Sequence, residues 1–281
     1  MQRGLVATLC LLALSCQTRA FLPLPNLAPP VTVRSNAACA GALWQLRMAT
    51  AFRLEKYLVR IGLGGGLLAQ RPPSYDTLTK VMKAQSNAIA FENLDVVQRK
   101  IIPIAPADVE RKLVDEGRGG YCFEQNQLLA SALQSLGFDV FPMLCRVRWN
   151  KAVDEQTTFT HVALGVKLGD GAEACTYLAD VGFAGTNSIA PVLLGSEEPQ
   201  ALPEGLFRTL RDTAGYTTLQ WEVKKTWRDL YMFKEEACLP IDLELANWWS
   251  CTYPKARFTS QFFVARVVGD ERHHILNETY R

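Results

Sequence analysis

The chain has 281 residues, of which 48% are hydrophobic and 21% are charged, and this balance indicates a globular protein with a sizeable core. Its formal net charge is only +2 and no basic stripe is present, so the sequence gives little support for nucleic-acid binding. The eight cysteines show no CxxC or Cys/His metal spacing, which argues against a zinc site and favours reduced thiols.

Residues 1–50 are predicted to be a targeting leader. They contain no acidic residue, and the apolar run over 5–14 is too short to cross a bilayer. A small-residue cleavage site at 18–20 is followed by Phe21, then by a stretch rich in proline and afterwards in Ala, Ser, Thr and Arg. This order resembles the two-part plastid address of algae with secondary plastids. Plain secretion, or translation from Met48 to give a cytoplasmic protein, are the alternatives.

The stretch after the leader is predicted to be a small helical bundle, because its apolar residues recur at helical spacing. Helices are predicted over 52–68, 77–86 and 106–116. Cys122 follows two glycines and is predicted to begin the next helix, with Gly137 as its C-terminal cap. Backbone N–H groups and the helix dipole at this place favour a thiolate, so Cys122 is a candidate nucleophile. The alternative is a small buried hydrophobic residue beside an ordinary turn.

Beyond Gly137 the sequence predicts mainly β-structure, with alternating apolar residues between turn residues. Strands are predicted over 138–149, 159–168, 174–183, 206–212, 217–227, 258–268 and 273–281. One short helix is predicted over 241–249.

His161 and Asp180 are the predicted partners of the cysteine. Only three histidines occur, and the other two, His273 and His274, are adjacent in the terminal strand. A two-residue turn at Asp170-Gly171 would place His161 and Asp180 directly opposite each other, with Cβ atoms roughly 4.5–5.5 Å apart. A carboxylate at that distance can orient an imidazole. We therefore interpret Cys122, His161 and Asp180 as a catalytic triad.

Four motifs in chain order resemble those of arylamine N-acetyltransferases. They are FENL at 91–94, RGGYCFEQN at 118–126, HVAL at 161–164 and DVGF at 180–183. The resemblance runs from about residue 51 to the end. It implies an α+β fold with a papain-like Cys-His-Asp site, built from a helical bundle (51–137), a central antiparallel β-barrel (138–205) and a C-terminal α/β lid (206–281). Because family members continue past the terminal hairpin, the lid is expected to be truncated.

The resemblance also implies a ping-pong reaction of xenobiotic metabolism. Cys122 would take an acetyl group from acetyl-CoA, a co-substrate, and a small arylamine, hydrazine or arylhydroxylamine would remove it. His161 would be the acid/base and Asp180 its orienter. The other implied roles are an acceptor pocket lined by Phe91 and Phe123, a buried ion pair of Glu92 and Arg118, and a coenzyme contact at Gly182. No metal, no nucleic acid and no membrane span in the mature chain are expected.

The chain departs from the family pattern at Ala184, which separates the DVGF motif from Gly185. This insertion affects the expected geometry of coenzyme contact. Two other functions remain open from the residues alone: a Cys-His-Asp hydrolase or amidase, which would use the same triad without coenzyme A, and a non-catalytic truncated relative. Selective labelling of Cys122 by a thiol reagent would argue against the last.

Overall fold

A computed structural model describes the chain over residues 52–280. The exceptions within this range are 67, 69, 184, 187 and 270, and only the backbone of residue 172 is described. The predicted leader at 1–50 lies outside the described residues. Within the described part, none of the helices is long and apolar enough to cross a bilayer.

The first part of the described chain is helical. Its helices span Leu54–Arg60, Tyr75–Ala88, Leu94–Val97, Pro106–Glu110 and Cys122–Ser135, and a short strand, β1, spans Phe91–Glu92. The helix predicted over 52–68 is shorter than expected, because the chain turns at Gly62 with a φ of 77°. A π-helical turn, Arg111–Asp115, continues the Pro106 helix almost to its predicted end.

Eight antiparallel strands form the central sheet. They are β2 (Asp139–Val147), β3 (Phe159–Leu168), β4 (Cys175–Ala179), β5 (Val192–Leu193), β6 (Gln200–Leu202), β7 (Gly205–Arg211), β8 (Thr217–Val223) and β9 (Thr226–Phe233). Their spatial order is β5-β4-β3-β2-β9-β8-β7-β6. Buried side chains such as Met143, Phe207 and Phe233 pack together as its core.

The two edge strands of this sheet are joined by a side chain. The Gln200 amide donates to the Leu193 carbonyl at 2.9 Å, and the Leu193 N–H donates to Gln200 Oε1 at 2.8 Å. A side-chain amide thus takes the place of one backbone pair between β5 and β6. The eight strands form a nearly closed barrel, and the fold is α+β as predicted.

The predicted boundary between 205 and 206 does not separate barrel from lid. Strand β9 pairs with β2, so β7, β8 and β9 belong to the barrel, which continues to Phe233. The strand predicted over 217–227 is in fact two strands. A turn with positive φ at Lys224 and Lys225 divides them.

A second sheet joins a short strand of the helical part to the C-terminal strands. It contains β1, β10 (Phe263–Val268), β11 (Glu271–Leu276) and β12 (Thr279–Tyr280), in that order. The helices Pro240–Thr252 and Arg257–Ser260 precede β10, which therefore begins later than the strand predicted over 258–268. The strand predicted over 273–281 is also wrong in extent, because a turn with a φ of 52° at Asn277 divides β11 from β12. The Asn93 side chain donates to the carbonyls of Phe258 and Gln261 and accepts the N–H of Phe263, which fixes the second sheet to the helical part.

Candidate active site

Cys122 is the first residue of the Cys122–Ser135 helix, as the sequence predicts, and is 2% exposed. Its thiol donates to the Thr160 carbonyl at 3.7 Å. Burial raises the pKa of the thiol, and the charge of Asp180 raises it further, although the N–H groups of Phe123 and Val162 act in the opposite direction. The helix terminus thus lowers this pKa as expected, but burial and the charge of Asp180 outweigh its effect. A base must take the proton before Cys122 can act as a thiolate.

A buried carboxylate holds the start of this helix. Glu124 Oε2 accepts the Tyr121 N–H at 3.1 Å, and Lys112 Nζ lies 2.7 Å from Glu124 Oε1. Burial raises the pKa of Glu124 to about 7, and Lys112 offsets only part of that effect. Neither Glu124 nor Lys112 was singled out from the sequence, since an acid as the third residue of a helix is an ordinary cap.

The loop before Cys122 is held by ion pairs. Arg118 Nη2 lies 3.1 Å from Glu92 Oε1, so the structure brings the two predicted partners together. The Arg118 side chain is 34% exposed, which places the pair at an edge rather than in the interior. Asp95 was missed from the sequence, yet it lies 2.9 Å from Arg118 and 3.0 Å from Lys112. Asp95 therefore links Arg118 in the loop to Lys112, which in turn pairs with Glu124 at the start of the helix.

His161 and Asp180 form a buried pair beside the cysteine. His161 Nε2 and Asp180 Oδ2 are 2.7 Å apart, and both residues are 2% exposed. Burial acts to raise the pKa of Asp180. The charge of His161 and the hydrogen bonds from His161, Asn126 and the Gly182 N–H outweigh it and hold the pKa below its ordinary value. Because the Cys122 thiol contacts the backbone of Thr160, it lies next to the strand residue that carries the imidazole.

The register predicted for β3 and β4 is wrong. Leu164 pairs with Ala179, whereas a turn at Asp170-Gly171 would pair it with Tyr177. Six residues, including a 3-10 turn at Gly171–Glu173, connect the strands instead of two. Asp180 lies just beyond β4 and diagonal to His161, still within reach of a long side chain. A shift of two residues keeps both side chains on one face.

Two aromatic rings enclose the imidazole. The ring centres of Phe183 and Tyr231 lie 5.0 Å and 4.9 Å from that of His161. Tyr231 was not among the predicted site residues, since its strand β9 was not recognised. The signal in the sequence that could have found it is the segment WRDLY at 227–231, which also resembles the family. These rings restrict the imidazole to few orientations.

Gly182 lies against the nucleophile rather than on an open surface. A Cβ atom there would come within 2.8 Å of both Cys122 Cα and Asn126 Nδ2, so only glycine permits this approach. Phe91 and Phe123 are 4% and 2% exposed and belong to one hydrophobic cluster with Cys122. Their roles toward an acceptor, and that of Gly182 toward coenzyme A, stay predictions.

A cavity of about 770 Å³ lies away from these residues. Arg146, Thr218, Met232 and the β2–β3 loop line it, and none of the predicted site residues does. Within the described residues, the side chains of His, Cys, Asp and Glu form no group of three or more that could hold a metal ion.

Comparisons with known proteins place this geometry in a family. Residues 74–281 match the model of a family described as N-acetyltransferase. The arylamine N-acetyltransferase of Mycolicibacterium smegmatis is 38% identical over 230 residues, which are 80% of each chain. A solved structure of the M. smegmatis enzyme has a TM-score of 0.75 at 34% identity and covers 82% of both chains. That of the Mycobacterium marinum enzyme in complex with CoA has a TM-score of 0.73 at 32% identity and covers 79% of this chain and 80% of its own. The chain therefore belongs to the arylamine N-acetyltransferase family.

Proposed function

We propose that this protein transfers an acetyl group from acetyl-CoA to an arylamine, hydrazine or arylhydroxylamine through an acetyl-Cys122 intermediate. The observation that carries the proposal is a buried thiol at a helix start that contacts Thr160, the residue before a histidine that a buried aspartate holds. The names of the M. smegmatis relative and of the CoA complex support the same acyl donor and acceptor class. The enzyme is accordingly an acyltransferase.

In the first half-reaction His161 acts as the base. Its Nε2 is engaged by Asp180, so Nδ1 is the nitrogen that remains to accept the thiol proton. Because burial raises the thiol pKa, His161 must take the thiol proton for Cys122 to attack the thioester. A bond forms between Cys122 Sγ and the acetyl carbon. The carbon–sulfur bond to coenzyme A then breaks, and the leaving thiolate takes the proton back from His161.

The second half-reaction repeats these steps with the acceptor. The amine nitrogen attacks the acetyl carbon while His161 removes its proton. The bond to Cys122 Sγ breaks, and His161 returns the proton to the sulfur. Asp180 stabilises the imidazolium that forms in each half-reaction. The buried surroundings of Cys122 favour an amine over bulk water as the acceptor, which separates this function from that of a hydrolase.

Mass spectrometry after incubation with acetyl-CoA tests the intermediate. We expect one acetyl group on Cys122, none in Cys122→Ser, and an unchanged adduct in Cys175→Ser, since Cys175 is an exposed thiol outside the site. Adding an arylamine should release the acetyl group as the amide. Acetylation of Cys175 instead of Cys122, or amide hydrolysis without coenzyme A, would contradict the proposal.

We also propose that the enzyme acts on foreign arylamines in a plastid. The support for the compartment is the leader at 1–50, with its short apolar run, Phe21 and lack of acidic residues. Residues 1–50 fused to a fluorescent protein should enter the plastid of an alga with secondary plastids. A fusion in which Phe21 is replaced by Ala is the matched control, and secretion of both fusions would contradict the proposal.

A further inference from the structure

Asn126 is fully buried one helical turn after Cys122, and all of its amide hydrogen-bonding groups are engaged. Its Nδ2 donates to Asp180 Oδ1 at 2.9 Å and to the Val162 carbonyl at 2.7 Å. Its Oδ1 accepts the Val181 N–H at 3.0 Å. Val162 directly follows His161, and Val181 directly follows Asp180. The Asn126 side chain therefore binds the segments that carry both members of the pair.

We propose that Asn126 is a positioning residue that sets the orientation of the Asp180 carboxylate and, through it, the tautomer of His161. The inference rests on the proposed function for its kinetic consequences. Its structural basis is separate, because the three hydrogen bonds exist whatever the substrate is.

The amide of Asn126 can take only one orientation. A flip would set Oδ1 against two acceptors, the Val162 carbonyl and Asp180 Oδ1, and would set Nδ2 against the Val181 N–H. Each of these buried groups would then lose its partner, at a cost of about 1–3 kcal/mol apiece. The direction in which Asn126 donates is therefore fixed.

This direction decides which oxygen of Asp180 faces the imidazole. Oδ1 accepts from Asn126 and from the Gly182 N–H at 2.8 Å, which leaves Oδ2 for His161 Nε2. With Asp180 Oδ2 held against Nε2, the proton of the neutral imidazole lies on Nε2, and Nδ1 is free to act as a base. Without the Asn126 donor, Asp180 Oδ1 loses one of the two hydrogen bonds that distinguish it from Oδ2, the other being that of the Gly182 N–H.

Asn126 also joins the three chain segments of the site. It lies on the helix of Cys122, bonds the residue after His161 in β3, and bonds both Asp180 and the residue after it. The titratable groups that face Asp180 from the packed elements are His161 on β3, Cys122 on the helix, Tyr231 on β9 and Cys145 on β2.

Three variants test the proposal in the full chain. Asn126→Ala removes the donors, and Asn126→Asp keeps the size of the side chain but places a carboxyl where the amide donated. Gln125→Ala is the matched control. Gln125 is buried on the same helix and also hydrogen-bonded, but its partners are Gln85, the Ala90 carbonyl at 2.9 Å and, at 3.4 Å, the carbonyls of Ile89 and Gly120, none of which belongs to the His161 or Asp180 segment. The rate of acetyl-Cys122 formation in a single turnover is measured between pH 5.5 and 9.

Asn126→Ala should slow acetylation about 10–100-fold, the range seen when hydrogen-bond partners that orient active side chains are removed. The apparent constant for acetyl-CoA should not change. Asn126→Asp should be slow at high pH and recover partly as pH falls, because only a protonated carboxyl can donate to Asp180 Oδ1. Gln125→Ala should lower stability while keeping the wild-type rate and pH profile.

The tautomer of His161 gives a second readout that needs no substrate. In ¹⁵N NMR the wild type and Gln125→Ala should carry the proton on Nε2, and Asn126→Ala should show a mixture. Wild-type rates and an unchanged tautomer in Asn126→Ala, or parallel pH profiles for Asn126→Asp and Gln125→Ala, would overturn the proposal. If the wild type itself forms no acetyl adduct, the proposed function fails. The NMR measurement of the His161 tautomer then tests the positioning role of Asn126 by itself.

Discussion

His161 and Asp180 meet diagonally between β3 and the end of β4, with Nε2 and Oδ2 2.7 Å apart. Asp180→Asn would place an amide at this bond, and its N–H would favour the tautomer that leaves Nδ1 protonated. We expect kcat to fall by up to ~10⁴-fold, as in serine triads with the same change. Steady-state kinetics of arylamine acetylation measure the loss, and circular dichroism checks that the variant is folded. Wild-type kcat in a folded variant would contradict the role of Asp180.

The six-residue connection between β3 and β4 should tolerate a change of length. One glycine inserted after Gly171 should leave activity nearly unchanged, because an exposed loop absorbs it without shifting the strand register. The same insertion after Val162 should abolish activity, since it turns the neighbouring side chains of β3 to the opposite face. Kinetics of both variants check this. Equal loss in both would mean that the loop itself matters.

Gly182→Ala should damage both stability and activity. Its Cβ would come within 2.8 Å of Cys122 Cα, and the backbone must shift to make room. Overpacking of this kind costs about 1–3 kcal/mol. Gly64→Ala is the control, because its Cβ would meet the movable Val59 side chain at 3.1 Å and would come no closer than 3.6 Å to the Val59 backbone, an ordinary contact. Denaturant unfolding should separate the two variants, and equal midpoints would contradict the close approach at Gly182.

Glu124 should make stability depend on pH near neutrality. Its pKa is about 7 in the folded chain against an ordinary value of 4.5, so the native state binds this proton more tightly than the unfolded chain. Its contribution to the free energy of unfolding is complete below pH 4.5 and is lost as pH rises through 7. Glu124→Gln has no carboxyl group to ionise, so its stability does not fall in this way. Its amide oxygen can still accept the Tyr121 N–H, and Lys112 still forms an ion pair with Asp95.

The free energy of unfolding of Glu124→Gln, relative to the wild type, should therefore rise between pH 4.5 and 7. Urea unfolding at several pH values measures the difference. A relative stability that stays flat across this window would mean that Glu124 remains ionised when the protein is folded.

His161→Asn should make the nucleophile unreactive at neutral pH. Burial and the charge of Asp180 raise the pKa of the Cys122 thiol, so without a base its thiolate fraction stays small. Alkylation by iodoacetamide should be slower than in the wild type and still increase at pH 9. The exposed Cys175 supplies a reference rate in the same sample. Fast alkylation of Cys122 in this variant would show that the helix start alone activates the thiol.

Local patterns predicted the elements that carry the site with good accuracy. The Cys122–Ser135 helix and β3 agree with their predicted starts, because periodic apolar residues and turn glycines mark both. The His161–Asp180 contact was also predicted, although from the wrong turn. An error of two residues preserves the face, which is why the contact survived the error in register.

Features that depend on distant partners could not be predicted. The pairing of β1 with β10, and the attachment of β9 to β2, leave no local mark in the sequence. The Lys224–Lys225 turn carries none of the Asn or Gly residues usual at positive φ, so the β8–β9 hairpin was missed. Tyr231 and the ion pairs of Asp95 were missed for the same reason, since only the folded chain brings them to the site.

Asn93 meets Phe263 only after 170 further residues of the chain have been made. At about 5–20 residues per second on the ribosome this takes roughly 10–35 s. During that time β1 lacks its partner β10, although the Glu92 N–H and the Gly120 carbonyl it bonds are already synthesised. The loop that precedes Cys122 rests on β1, so during that time β1 and the ion pairs of Arg118 with Glu92 and Asp95 hold it without the rest of the second sheet. The support of this loop is complete only when β10 has emerged and paired with β1.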